Sequence, residues 1–314
     1  MQIQIFAAHW GNNELAPQVF IDRVKQAGFD GIEMSLPLDA AAREDWTGRI
    51  AAAGLGLIAA QWETVFHPTF EPHKAALAEL LHNACAARPL HVNSHTGKDY
   101  FTPEQNRELL ELAAAISREH GVPIVHEIHR SRFSGHPMLL LPYLQQMPGL
   151  ELTADLSHWC CACESLLEDQ PQTLAATLPH VRHIHARVGH QQGPQVADFR
   201  APEAQAALQA HLSWWDEVIR LRRAAGAERV TLTPEFGPVP YTQTLPYTQK
   251  EVSNAWELNL AMLDLLRRRY KTEPEAWTAA PSGARIGSTS VTVVPTPCTD
   301  STLMVPRSTP VTML

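Results

Sequence analysis

Two rhythms of apolar and polar positions take turns along this chain. Short runs with a period near two read as strands, and the longer segments between them repeat apolar residues every three or four positions, as amphipathic helices do. The predicted strands are Ile3–Ala8, Gly31–Leu36, Leu55–Trp62, Leu90–Ser94, Pro123–Ile128, Leu150–Asp155, Val181–Ala186 and Arg229–Pro234. The predicted helices are Pro17–Ala27, Ala40–Ala53, Pro72–Ala87, a segment from Thr102 to about His120, Pro137–Gln146, Glu164–Leu178, Pro202–Ala225 and Ser253–Tyr270. The fourth helix opens on Thr102-Pro103-Glu104-Gln105, an N-cap followed by a proline in the first turn. Several helices end in glycine before the next strand, the usual stop in an αβ turn.

Strict alternation of this kind implies a parallel sheet. Eight units imply closure, so the fold class is α/β and the architecture a (β/α)8 TIM barrel over residues 1–270. An open doubly wound sheet is disfavoured, because no glycine-rich phosphate turn follows the first strand. From 271 to 314 the periodicity stops and Thr, Ser, Pro and Val dominate. That stretch is expected to be a mostly disordered extension, with a strap over the barrel exterior as the alternative.

Composition narrows the function. The chain has 314 residues, 45% of them hydrophobic, enough for one large core. Its 33 acidic and 25 basic residues give a net charge of −8, which offers no footprint for a nucleic-acid backbone and favours a small-molecule substrate. No apolar run is long enough for a membrane span, and the N-terminal MQIQIFAAHWG opens as a strand without a charged leader and apolar core. Five cysteines, three of them crowded at Cys160, Cys161 and Cys163, form no disulfide framework and lack the paired spacing of structural zinc. A cytoplasmic protein with buried thiols is expected.

Four residues at the C-terminal ends of the last four strands carry the chemistry: Glu127, Asp155, His185 and Glu235. Barrel enzymes place their catalytic groups at that end. Strand parity puts Val125 with Glu127, Thr153 with Asp155, His183 with His185, and Thr233 with Glu235 on the inward face. Any one of them alone reads as a polar strand end facing water. Together, three carboxylates in one mouth repel and raise one another's pKa values, and a divalent cation removes that repulsion. Oxygen-rich donors favour Mn²⁺, Mg²⁺ or Co²⁺, with Zn²⁺ also within range.

The pattern E…DxxH…HxHxR…E on strands five to eight resembles the xylose-isomerase-like barrels. That superfamily includes sugar and sugar-phosphate isomerases and epimerases, hydroxypyruvate isomerase, inosose dehydratase and endonuclease IV type repair enzymes. The resemblance implies that Glu127, Asp155, His185 and Glu235 ligate one divalent metal ion. It further implies that His158 and Arg187 contact substrate oxygens, and that Glu127 and Glu235 double as the acid–base pair. Other candidates for the walls of a sugar pocket are Trp10, Trp62, His67 and His95, with His9 and Asn93 beside them. Glu33, at the end of the second strand, is evenly balanced between site and structure, and His129 and His183 read as supporting groups. The loop Gly189–Arg200 is a candidate substrate cover.

The activity expected is therefore metal-dependent isomerisation or epimerisation of a sugar, sugar phosphate or small hydroxy-keto acid through an enediolate. A dehydratase using the same metal is the alternative. A repair nuclease ranks below both: Arg200 stands where its D-x-H motif needs a ligand histidine, and a guanidinium cannot ligate a metal. A barrel that only binds a sugar or metal sits poorly with the intact glutamates. A homo-oligomer is possible for barrels of this type.

Overall fold

Eight short parallel strands close on themselves in chain order: β1 (Gln2–Ala8), β2 (Gly31–Ser35), β3 (Gly56–Gln61), β4 (Val92–Ser94), β5 (Ile124–Glu127), β6 (Leu152–Ala154), β7 (Val181–His185) and β8 (Arg229–Thr233). β1 completes the ring against β8, with Gln2 opposite Arg229 and Ile5 opposite Leu232. The computed structural model describes residues 1–271; apart from Lys271, the predicted 271–314 extension lies outside them. Among the described residues no helix is long and apolar enough to cross a membrane.

The helices are α1 (Pro17–Ala27), α2 (Ala40–Ala52), α3 (Phe70–Ala86), α4 (Pro103–His120), α5 (Pro137–Gln146), α6 (Ser157–Cys163), α7 (Pro171–Thr177), α8 (Gln205–Ala224) and α9 (Ala255–Lys271). The capping box of α4 forms as expected, Thr102 and Gln105 each accepting from the other's backbone N–H. One expectation is corrected. The helix predicted over Glu164–Leu178 is two: α6 starts directly after β6 and ends where Glu164 turns left-handed at φ 51°, and Leu167 at φ 60° continues the break. Gln170-Pro171 then restarts the helix as α7. His158 consequently rides on a helix, behind the strand end that carries Asp155.

Two packing layers follow from strand parity. Outward side chains such as Ile5, Ala7 and Ile32 meet the buried faces of the helices, including Phe20, Ile21 and Val24 of α1 and Leu109, Leu110 and Ala113 of α4. Each large apolar side chain buried this way contributes about 1.5–3 kcal/mol. Inward side chains mix apolar groups such as Phe6 and Val125 with buried polar ones such as Glu33, His183 and Thr231. Phe6, fully buried, lies across Gly31 and Gly56, and a Cβ on Gly31 would stand 2.3 Å from the Phe6 ring and 2.4 Å from the Gly56 carbonyl oxygen.

Gly31→Ala should therefore destabilise the barrel by about 1–3 kcal/mol through overpacking. Urea denaturation checks this, and a wild-type midpoint would show that the floor has room to give.

Candidate metal centre and cavity

β5 and β7 end on Glu127 and His185, Asp155 follows β6, and Glu235 lies just past β8. Each offers one ligand atom, and the four atoms lie within 4.8 Å of one another. His185 Nδ1 is 3.0 Å from Glu235 Oε2, 3.6 Å from Glu127 Oε2 and 4.0 Å from Asp155 Oδ2. Its other ring nitrogen, Nε2, is 3.0 Å from Glu33 Oε1. A carboxylate there takes the Nε2–H and leaves the Nδ1 lone pair facing the three acidic groups. His185 Nδ1 and Glu235 Oε2 are both buried without a hydrogen-bonding partner. Buried polar atoms are seldom left so. Three carboxylates and one imidazole, with orphaned atoms aimed at one point, fit a divalent cation.

The same carboxylates that would draw a cation also draw a proton to His185 Nδ1, so a bound cation would displace that proton. Burial opposes a charge on His185, but Glu235, Glu33 and Glu127 surround it and raise its pKa well above the ordinary imidazole value. Burial pushes the Asp155 carboxyl up to about 6; Arg187 opposes this rise, and Glu235 and Glu127 add to it. Burial also works against the Glu127 carboxylate, yet His95 and His185 hold it well below the usual range.

Glu33, left undecided by the sequence, is the support of the whole arrangement. It sits inside β2 and is only 5% exposed. One oxygen meets His185 and accepts from Asn93 Nδ2 at 3.1 Å, and the other is 3.1 Å from His183 Nε2. His183 in turn reaches Thr231 through Nδ1, at 3.0 Å to the carbonyl and 2.7 Å to the hydroxyl. Asn93 donates to Glu127 Oε2 as well, at 2.8 Å, so one amide fixes two carboxylates. The signal available in sequence was its parity: Glu33 shares the inward face of β2 with Gly31.

Asp155 is held from the other side. Its Oδ1 accepts from the Ser157 backbone N–H at 3.2 Å and from the Ser157 hydroxyl, and its Oδ2 from Arg187. The start of α6 is thus shaped around this carboxylate. Gly189, in the loop after β7, lets the two pass closely, since a Cβ there would stand 2.6 Å from that of Ser157. Arg187 is buried and fully engaged: it also meets Glu235 Oε2 at 3.4 Å, His158 Nε2 at 2.8 Å and the Ser157 hydroxyl at 3.3 Å. His158 is itself fully buried behind Arg187 and does not line the cavity.

Above the cluster opens a cavity of about 540 Å³. Glu127, Glu235, Arg187, Trp10, Trp62 and His95 line it, and His67 does not. His95 Nε2 is 2.8 Å from Glu127 Oε2. Trp10 packs edge-on against Tyr241 at 5.0 Å and lies over Gly237, where a Cβ would be 2.0 Å from its ring. Gln195 of the predicted cover loop grips that same glycine, accepting from its N–H at 2.8 Å and donating to its carbonyl at 3.2 Å. The loop is therefore a brace for the cavity wall. Arg200 is half-exposed and folds back onto Asp198, with 2.6 Å between Nη2 and Oδ2. Sequence reasoning passed over Arg132, which is buried and also lines the cavity.

The family described as xylose isomerase-like TIM barrel matches residues 21–191, over half of the 314-residue chain. The chain belongs to that family. No curated protein matches it. Among solved structures, the apo 3-keto-D-glucoside 4-epimerase of E. coli is similar at 12% identity and a TM-score of 0.54, covering 85% of this chain and 100% of its own. A xylose isomerase-like TIM barrel protein of Mycobacterium smegmatis, solved in complex with magnesium, is 14% identical with a TM-score of 0.55, covering 84% of this chain and 97% of its own. Endonuclease IV of Thermus thermophilus is 16% identical with a TM-score of 0.52, covering 86% of this chain and 100% of its own. At such identities the xylose isomerase-like neighbours establish the fold and leave the reaction to the residues.

Arg187→Met should cost about 3–5 kcal/mol of stability, because Asp155 and Glu235 would lose their buried guanidinium. Chemical denaturation in the presence of a chelator measures this directly. A cost under about 1 kcal/mol, the scale of an exposed pair, would contradict the pairing described.

Proposed function

We propose that the protein is a divalent-metal-dependent isomerase or epimerase of a sugar, sugar phosphate or small hydroxy-keto acid, working through an enediolate of the substrate. The convergence of Glu127, Asp155, His185 and Glu235 ligand atoms within 4.8 Å supports this most directly. A divalent cation bound there supplies Lewis-acid polarisation of a carbonyl and its neighbouring hydroxyl; Mn²⁺, Mg²⁺ and Co²⁺ suit the donors best.

The chain's own groups handle the proton. Glu127 and Glu235 both reach the cavity, from strands three places apart around the barrel, so they meet a bound carbon chain from different sides. One takes the proton next to the carbonyl; the other, already protonated from solvent, delivers its own to the enediolate, and the two exchange protons with solvent before the next turnover. His95 and Asn93, both at 2.8 Å, orient Glu127. Arg187 stays against Asp155 and Glu235 and offsets negative charge developing nearby. Trp10 and Trp62 offer ring surfaces to sugar C–H groups. The free thiols of Cys85, Cys160, Cys161 and Cys163 suit a reducing cytoplasm.

A second donor set, His95, Glu127 and His129, shares Glu127 with the first. Two ions per chain would shift the assignment toward a two-metal hydrolytic enzyme, the nuclease class included.

Metal analysis of the purified protein should find about one divalent ion per chain. Stripping it should lower Tm by several degrees, in line with the ~2.7 kcal/mol gained at a hundredfold excess over Kd. Glu33→Gln should weaken metal affinity about 10–100-fold by releasing His185. Unchanged affinity would remove Glu33 from the account.

Incubation of the loaded enzyme with ketoses and hydroxy-keto acids in D₂O should place deuterium on one carbon of a substrate, with no change in its formula. Loss of water from the product would identify a dehydratase instead. Absence of exchange across the panel would count against enediolate chemistry.

A further inference from the structure

The cavity wall holds two guanidinium groups, and only one of them has its charge answered by the protein. Arg187 is saturated by Asp155, Glu235, Ser157 and His158. Arg132 is 3% exposed and lines the same cavity. Its Nε is buried without a partner, its Nη1 donates at 3.0 Å to the carbonyl of its own neighbour Ser131, and its Nη2 is 3.4 Å from His95 Nδ1. Among the described residues Arg132 forms no ion pair with a carboxylate. Glu127 and Asp99 act on it only at longer range. A buried guanidinium left this way is costly unless an anion completes it.

The loop that carries Arg132 is built to hold it there. After Glu127, the Arg132 N–H donates to the His129 carbonyl at 3.2 Å and the Gly135 N–H to the Arg132 carbonyl at 2.9 Å. Ser134 ties both ends down: its hydroxyl donates to the Glu127 carbonyl at 2.5 Å, and its own carbonyl accepts from Trp159 Nε1 at 2.8 Å. Ser131 adopts φ 63°, a left-handed conformation that serine rarely takes, and it turns the next side chain inward. A Cβ on Gly135 would stand 3.0 Å from the Arg132 carbonyl oxygen, so the turn tolerates little else there. The result is a rigid, pre-oriented fork of N–H donors, the geometry that takes a carboxylate or phosphate through two bonds.

We infer that Arg132 anchors an anionic group, a carboxylate or phosphate, at one end of a hydroxylated substrate whose other end reaches Glu127 and Glu235. His95 stands between the two ends, 3.4 Å from Arg132 and 2.8 Å from Glu127, so a short carbon chain spans them. The anchor transfers to Arg132 a role that sequence reasoning gave to Arg187. It rests on the functional proposal above in taking this cavity as the substrate site.

Titration calorimetry on magnesium-loaded protein tests it with three probes that share a six-carbon polyol: D-glucitol, D-gluconate and D-glucitol 6-phosphate. Wild type should prefer at least one anion over D-glucitol, and which one it prefers names the anionic group. Arg132→Gln should lose about tenfold to hundredfold in affinity for that anion, the scale of a charge-assisted bond, and nothing for D-glucitol. Arg132→Lys, which keeps the charge and loses the fork, should fall between them; it also carries the comparison if the glutamine variant folds poorly. No anion preference in wild type, weak binding of all three probes included, would overturn the assignment. So would an equal loss for all three probes. Metal content of the same samples keeps the two proposals separate: a chain that binds no metal but prefers the anion through Arg132 would sink only the isomerase.

Discussion

Four carboxylates crowded into one barrel mouth, three of them buried, set the terms for the rest of the structure. Glu33, Glu127, Asp155 and Glu235 would repel one another in a medium poorer than water at screening charge, so each needs donors close by. Two networks supply them. Beneath, Glu33 is met by His183, His185 and Asn93, and His183 is fixed by Thr231. To one side, Asp155 is met by Ser157 and Arg187, with His158 behind the guanidinium. Between them His185 Nδ1 and Glu235 Oε2 stand 3.0 Å apart, each buried without a well-directed hydrogen bond, which is where a cation fits.

Local structure bends to these needs. β6 is only three residues long because α6 begins at once, and the Ser157 N–H and hydroxyl that open it are spent on Asp155. Gly189 leaves room for that early helix. The outer wall is braced in sequence: Gln195 holds Gly237, Gly237 admits the Trp10 ring, Trp10 packs on Tyr241, and the Tyr241 ring lies 4.7 Å from the Arg187 guanidinium. An apolar wall, two glutamates and a rigid guanidinium on the β5 loop thus surround one cavity. The proposed chemistry on a small, hydroxylated, anionic molecule rests on that set and not on the fold, which serves many reactions.

The barrel and its four candidate ligands were legible in sequence because both depend on short-range periodicity. A period of two places Glu127, Asp155, His185 and Glu235 on inward faces at successive strand ends, and nothing distant has to be known. Glu33 was only half legible. Its parity was readable, but its partners come from β4 and β7, and the closure that joins them is a tertiary fact. Arg132 was invisible, since a loop residue has no periodicity and Ser131's backbone decides where it points. His158 lies behind the same limit: its spacing from Asp155 was clear, yet the short helix that carries it away from the cavity falls between the predicted strand Leu150–Asp155 and the predicted helix from Glu164, where no element was assigned. For Gln195 the loop was found and its task was not, because bonding to a backbone amide leaves no mark on side-chain pattern.

The most direct test of the central claim is where a cation sits. Crystals grown with Mn²⁺ and measured at its absorption edge should show one strong anomalous peak per chain within about 2.5 Å of His185 Nδ1 and of Glu127, Asp155 and Glu235 oxygens. Manganese resting instead on the exposed His82, Glu119 and His120 cluster, with no peak among the four, would contradict it.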